Sequence, residues 1–197
     1  MKNKDLMKLL DGIQEDGDDT PKEKRIILID ALNLFFRNFA VIGTLNSEGA
    51  HVGGLGGFFR SLGALIRNLE ADQVYVVFDG IGGSNNRKNL IPEYKSGRMN
   101  SRITNWEAFD SVEDESNSQI DQITRIAQYL KTLPVKTVQI DKVEADDVIA
   151  YVGEKLSHDK NNKIFIVSSD KDYLQLAKEN LIIYRPIEKK YYTPSTV

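Results

Sequence analysis

Four times in this 197-residue chain an apolar run closes in, or just before, an aspartate. The runs are Arg25-Ile-Ile-Leu-Ile-Asp30, Gln73-Val-Tyr-Val-Val-Phe-Asp79, Lys163-Ile-Phe-Ile-Val-Ser-Ser-Asp170 and, more weakly, Thr137-Val-Gln-Ile-Asp141. A run that is apolar throughout, rather than alternating, is the pattern of a strand covered on both faces. Helical spacing occupies the intervals: Gly56 to Glu70, with Phe58, Phe59, Leu62, Leu65, Ile66 and Leu69 on one stripe, then Ile120 to Leu133, then Ala145 to Leu156. Strands alternating with helices predict an α/β fold, a mostly parallel central sheet flanked by helices. In such sheets ligands bind outside the carboxyl ends of the strands, so acids far apart in sequence converge on one crevice.

Composition narrows the chemistry available there. The chain has no cysteine, which excludes disulfides, thiolate zinc sites and thiol nucleophiles, and only two histidines, His51 and His158, too few for an imidazole-rich centre. Catalysis in such a chain leans on carboxylates. No apolar run reaches the ~18 residues of a membrane span, and Met1 to Thr20 has no signal-peptide core, so a cytoplasmic protein with no membrane partner is expected. The net charge of −3 does not by itself favour a nucleic-acid binder, so the distribution of charge matters more than its sum.

Residues 1–24 read as a charged leader without chemistry, and residues 25–197 as one catalytic unit. Gly80 to Ser118 is polar, rich in Gly, Asn, Ser and Arg, and longer than an ordinary connection, which marks it as an excursion inserted after the strand ending at Asp79. The last stretch, Leu181 to Thr193, reads as two short strands with a turn near Pro186 and Glu188.

Asp30, Asp79, Glu144, Asp146, Asp147, Asp170 and Asp172 are the candidate pocket acids. Gathered together they repel one another unless cations neutralise them, and all-oxygen donors select a hard divalent ion, Mg²⁺ with Mn²⁺ as substitute. Glu144-Ala-Asp-Asp147 opens a helix and Asp170-Lys-Asp172 follows a strand; two clusters point to two ions flanking a phosphodiester. Taken singly, each acid is more simply read as a helix cap than as a catalytic group.

Between Arg87 and Arg102 stand five cations, Arg87, Lys88, Lys95, Arg98 and Arg102, against the single acid Glu93, with Tyr94 among them. Cations for phosphates and a ring for a base suit a nucleic-acid strand; a solvated loop is the plainer alternative. Arg37, on the helix after Asp30, reads as a surface residue or a phosphate ligand.

These pieces together resemble the 5′ nuclease family: flap endonucleases, the 5′ nuclease domain of bacterial DNA polymerase I, and phage 5′ exonucleases. The resemblance rests on Ile29-Asp-Ala-Leu-Asn33 with Arg37, Val77-Phe-Asp-Gly80, Arg87 through Pro92-Glu-Tyr-Lys-Ser-Gly-Arg98, Val143-Glu-Ala-Asp-Asp-Val148 and Ser168-Ser-Asp-Lys-Asp-Tyr-Leu174, in the family's order. It implies a PIN-like, resolvase-like sheet with an arch over about residues 81–118. It also implies Mg²⁺-dependent hydrolysis near 5′ ends of DNA or RNA–DNA hybrids, giving 5′-phosphate products, in primer removal during replication. Asp30, Asp79, Glu144, Asp146 and Asp147 would surround one metal, and Asp170 and Asp172 a second. Lys95 and Arg98 would act catalytically on the scissile phosphate. Tyr94 would stack on a base, and Arg37, Arg87, Lys88 and Arg102 would hold the strand.

The implied substrates are DNA with a 5′ flap, nick or RNA primer. The implied company is a replication polymerase or single-strand-binding protein, around a monomer in the cytoplasm, a host's if phage-encoded. In the family a helix-hairpin-helix element follows the last strands. The sequence stops at Val197 ahead of it, so a fragment, a partner-supplied element and a protein working without it stand as three expectations. Two other functions fit parts of the pattern, a PIN-type ribonuclease on single-stranded RNA and a non-catalytic DNA-binding module. A Toprim-like domain accounts for the acids and leaves the basic segment unexplained.

Overall fold

The most apolar run takes the centre of the sheet. In the computed structural model, which describes residues 23–83 and 103–196, β1 (Lys24–Asp30) is paired in parallel with β2 (Gln73–Phe78) on one side and β4 (Asn162–Val167) on the other. With β3 (Lys136–Gln139), β5 (Leu181–Arg185) and β6 (Lys190–Tyr192), the order across the sheet is β3-β2-β1-β4-β5-β6, with β6 alone antiparallel. The two-strand reading of the last stretch matches β5 and β6. The chain therefore builds outward from β1 to β3, returns, and continues from β4 on the opposite side. The order reverses between β1 and β4, the kind of point where open α/β sheets leave a crevice.

Helices cover both faces. On one lie α1 (Ala31–Val41), α2 (Gly53–Leu69) and α3 (Val112–Leu130), closing over Ile27, Ile29, Phe35, Phe39, Phe58, Leu62, Val76, Ile126 and Phe165. On the other, α4 (Ala145–Ser157) and a 3₁₀ turn (Lys171–Leu176) close over Ile26, Leu28, Val77, Ile149, Ile164, Ile166 and Tyr173. Adjacent strand residues thus feed opposite cores, which is why β1 shows no polar alternation: Ile26 to Ile29 are each at most 1% exposed. Full burial of such a side chain stabilises by about 2 kcal/mol.

The element limits differ from the sequence pattern where neighbours override it. Helix α2 starts at Gly53, ahead of the expected Gly56, because a Cβ at Gly54 would stand 2.4 Å from the Phe35 ring and 2.9 Å from Gln122 Oε1. The glycines bring α2 against α1 and α3, offsetting their poor helix propensity. Helix α3 starts at Val112, within the span expected as excursion, because Ser111 caps it by accepting from the Asp114 N–H at 3.1 Å, and Glu113, Asp114 and Glu115 fill the first turn. Strand β3 is short and mostly exposed, in keeping with its weak apolar signal. Among the described residues no helix is long and apolar enough to cross a membrane.

Candidate active site

At the point where the strand order reverses, an open cleft of about 430 Å³ is lined by Asp30, Asp79, Asp146 and Asp170, together with Leu32, Asn33, Phe36, Arg37, Ser169 and Ile187. Each acid reaches it from a different element. Asp30 ends β1 and caps α1, its Oδ1 accepting from the Asn33 N–H at 2.9 Å. Asp79 follows β2, and its Oδ1 accepts at 2.6 Å from the N–H of Ala145, the first residue of α4. Asp146 is the next residue of α4 and accepts from the Tyr173 hydroxyl at 2.9 Å. Asp170 precedes the 3₁₀ turn and accepts from the Asp172 N–H at 2.9 Å. For Asp30, Asp79 and Asp170 capping and cleft lining are therefore joint properties: one carboxylate oxygen serves a backbone N–H while the group still lines the cleft.

Asp146 and Asp170 also border a second, smaller cavity of about 170 Å³ with Asp147, Asp172 and Tyr173. Six of the seven acids are thus divided between two adjoining spaces, with Asp146 and Asp170 common to both. Glu144 is the exception: it sits just before α4, 3% exposed, and lines neither space. The fourth strand-associated acid, Asp141, is exposed and lines neither.

The electrostatics follow from crowding. The Asp30 carboxyl is pushed up to about 6, first by burial and then by the Asp146 and Asp79 carboxylates, against the lowering effect of the Asn33 and Leu32 backbone N–H groups. Burial, then Asp146, push the Tyr173 phenol well above its ordinary range, so it stays a donor. Arg37, half-buried on α1, is the one cation on the larger cleft's wall among the described residues, and burial lowers its pKa. Among the described residues no three His, Asp or Glu side chains are drawn together as a ready-made metal cage. The donor set nonetheless fits hard divalent ions: its acids are all carboxylates, and their crowding already favours a neutralising partner.

Arg87, Lys88, Tyr94, Lys95, Arg98 and Arg102 lie outside the described residues. What the structure describes is the far end of the excursion that contains them. Glu115, 1% exposed on α3, accepts from the Thr104 N–H at 2.9 Å and from the Asn105 N–H at 2.9 Å, while the Asn105 side chain donates to the Phe39 carbonyl at 2.8 Å. Sequence reasoning did not find Glu115, Tyr173, Ser169, Phe36 or Ile187. Tyr173 was detectable in principle, an aromatic inside an acid-rich motif; Phe36 and Ile187 look like ordinary apolar residues until the fold leaves them 42% and 68% exposed at the cleft.

Carboxylates from four elements meeting at the reversal point of a parallel sheet define a resolvase-like α/β domain with an acidic centre. Residues 25–197 match the family described as the 5′-3′ exonuclease N-terminal resolvase-like domain, and the chain belongs to it. It is 31% identical to a 5′-3′ exonuclease of Aquifex aeolicus over 175 residues, covering 88% of this chain and 55% of that protein. It is 32% identical to DNA polymerase I of Borreliella burgdorferi over 166 residues, 82% of this chain and 16% of that one. The chain thus spans about half the length of that exonuclease. Its fold is similar to the bacteriophage T5 flap endonuclease in complex with DNA and metal ions, with a TM-score of 0.65, 18% identity, and coverage of 86% of this chain and 58% of that one. It is similar also to the T5 5′-exonuclease with bound zinc, with a TM-score of 0.64, 18% identity, and coverage of 86% and 58%.

Proposed function

We propose that this chain is the hydrolytic domain of a Mg²⁺-dependent 5′ nuclease, cutting phosphodiester bonds near the 5′ ends of DNA or RNA–DNA hybrids and leaving 5′-phosphate and 3′-hydroxyl ends. The observation that carries it is the single cleft shared by Asp30, Asp79, Asp146 and Asp170 with Arg37 on its wall. Membership of the exonuclease family supports the reaction class, and the DNA-bound phage flap endonuclease of the same fold supports the substrate class. Primer removal during replication is the role this implies, with flap, nick or RNA-primer ends as substrates.

In this reading Asp30, Asp79 and Asp146 would hold the first ion, with Glu144, buried just before α4, as a further candidate donor outside the cavity lining. Asp170 and Asp172 would hold the second, in the smaller space that Asp147 also lines. Divalent ions held there would supply an acidified water and neutralise charge on the phosphodiester. The chain's own residues do the rest. Arg37 attracts the backbone phosphate that four carboxylates would otherwise repel. Phe36 and Ile187 give the cleft an apolar rim against which a sugar or base can rest. Tyr173 and the Ala145 N–H fix the directions of the Asp146 and Asp79 carboxylates, so little reorganisation is needed when substrate arrives. The residues Arg87, Lys88, Tyr94, Lys95, Arg98 and Arg102 belong to the arch of this proposal, about 81–118, and Glu115 anchors its far end.

The test is cleavage of a 5′-labelled flap or nicked duplex by the chain in Mg²⁺, in Mn²⁺ and in EDTA, beside Asp170→Asn. Short 5′ fragments released only with metal, and lost in the variant, are expected. Binding without cleavage by the well-folded chain would instead identify a non-catalytic DNA-binding module, and 3′-phosphate products would contradict the mechanism.

A further inference from the structure

Backbone pairing between β4 and β5 ends where the Ser168 N–H donates to the Tyr184 carbonyl at 3.2 Å, and the chain then leaves the sheet toward Asp170. The Ser169 carbonyl has passed the end of the ladder, yet it is not left unpaired: Arg185, the next residue of β5, reaches it with its side chain, Nη2 donating at 3.1 Å. The N–H of the same peptide unit, that of Asp170, donates to the Ser168 hydroxyl at 3.1 Å. The planar Ser169–Asp170 peptide is therefore held at both of its polar ends. The guanidinium is held in turn. Its Nη1 pairs with Glu188 at 2.5 Å, and the other Glu188 oxygen accepts from the Tyr192 hydroxyl at 2.8 Å. The Arg185 side chain is only 15% exposed, lines neither acidic space and has its charge matched by Glu188, so it is not set to meet a phosphate.

We infer that Arg185 is a positioning residue for the second carboxylate cluster: by clamping the Ser169 carbonyl to the turn after β5, it fixes the direction in which Asp170 is offered to a divalent ion. The inference deepens the nuclease reading and rests on it for what that ion does. Asp170 spends Oδ1 on the Asp172 N–H, so the backbone it springs from decides where its carboxylate faces. A swing of the Ser169–Asp170 peptide would carry both acids of the cluster with it. The clamp needs two donors at a fixed separation, one for Ser169 and one for Glu188, which a planar guanidinium has and a single ammonium lacks. Partners that orient metal-holding side chains are worth about tenfold or more in metal affinity, and Arg185, acting one peptide away, belongs at the lower end of that scale.

The experiment is a Mn²⁺ titration of the full chain without nucleic acid, read by electron paramagnetic resonance of the free ion, beside urea unfolding in EDTA and flap-DNA cleavage in Mg²⁺. The variants are Arg185→Met, which removes both ends of the clamp, and Arg185→Lys, which keeps the charge and the pair with Glu188. Asn180→Ala is the control for general loosening, since it removes bonds to the Ser157, Asp159 and Asn162 carbonyls at the other end of β5. Arg185→Met should weaken Mn²⁺ binding by about three- to tenfold and raise the Mg²⁺ needed for half-maximal cleavage by a similar factor, with flap-DNA affinity in EDTA within about twofold of the wild type. Arg185→Lys should be displaced in the same direction, and it carries the test if Arg185→Met does not fold. Asn180→Ala should lose stability and bind Mn²⁺ as the wild type does. A titration of Arg185→Met that superimposes on the wild type, full recovery in Arg185→Lys, or an equal displacement in Asn180→Ala overturns the clamp, and the nuclease reading stands if the wild type cleaves. Displacement in both Arg185 variants without any cleavage by the wild type supports the clamp and sinks the nuclease reading. No Mn²⁺ binding by the wild type overturns both.

Discussion

The Asp79 carboxylate and the Ala145 backbone N–H are joined by a 2.6 Å hydrogen bond across 66 residues of sequence, tying the tip of β2 to the first turn of α4. The tie needs Gly80. Its N–H donates to the Val143 carbonyl at 2.9 Å, and a Cβ there would stand 1.8 Å from the Ile140 carbonyl oxygen. Asp79→Asn keeps an oxygen for the Ala145 N–H and removes the charge, so turnover should fall at least about tenfold with stability changed by less than about 0.5 kcal/mol. Asp79→Ala should add a loss of about 1 kcal/mol in urea unfolding. Equal stability losses in the two variants would show that the bond does not hold the helix.

The contrast between Asp79 and Glu115 explains how much the sequence revealed. Asp79 was visible because it closes an apolar run, and the parallel sheet carries such acids to one edge; Asp30 and Asp170 were visible for the same reason. Arg37 was visible from its place on the helix after Asp30, as a surface residue or a phosphate ligand, and the family resemblance chose the second. Glu115 sits among Glu113, Asp114 and Ser116 in a stretch without apolar periodicity, and nothing local distinguishes it from its solvated neighbours. Its role depends on Thr104 and Asn105 returning to it, a tertiary contact with no periodic signature. Ile187 was hidden in the same way. It stands two residues after β5 and reaches the cleft only because β5 lies next to β4 in the sheet.

Glu115 accordingly carries a stability prediction. Glu115→Ala removes an almost fully buried carboxylate that accepts from two backbone N–H groups and leaves those donors unsatisfied. A loss of about 2–4 kcal/mol is expected, with Glu115→Gln intermediate, because bonds to a charged acceptor exceed those to a neutral one. Limited proteolysis should then cut near Thr104 before it cuts β1 or β4. A variant as resistant as the wild type at that site would show that Glu115 does not hold the segment.

Asp30 sets a pH dependence. Its carboxyl, held at about 6 in the fold against 3.8 ordinarily, binds its proton more tightly folded than unfolded. Ionisation therefore costs stability: none of that cost is present below the ordinary value, and it grows as pH rises from about 4 and is complete above about 6. Asp30→Asn keeps the cap on Asn33 and removes the cost, so in EDTA at pH 7.5 it should be more stable than the wild type by about 2 kcal/mol, a difference that vanishes near pH 4. Thermal unfolding at the two pH values measures this. The same variant should lose activity, since the ionised carboxylate is what the cleft offers a cation. Equal melting temperatures at pH 7.5 would contradict the burial and repulsion argument.

Tyr173 acts through Asp146. Its ring is buried in the core beneath α4, and its hydroxyl donates to Asp146 at 2.9 Å; the raised phenol cannot ionise near neutral pH, so the bond persists wherever the carboxylate is charged. Tyr173→Phe retains the packing and frees that carboxylate to rotate. Removing an outer hydrogen bond to a metal-holding side chain weakens metal affinity by about tenfold or more, while packing loss alone leaves it unmoved. The expected result is a Mn²⁺ titration, followed by thermal shift, displaced by about tenfold, with flap-DNA affinity in EDTA within about twofold of the wild type. Stability without metal should fall by about 1 kcal/mol, the ordinary worth of one hydrogen bond. A Mn²⁺ titration that superimposes on the wild type would show that Asp146 is held by its other contacts and that the phenol only fills space.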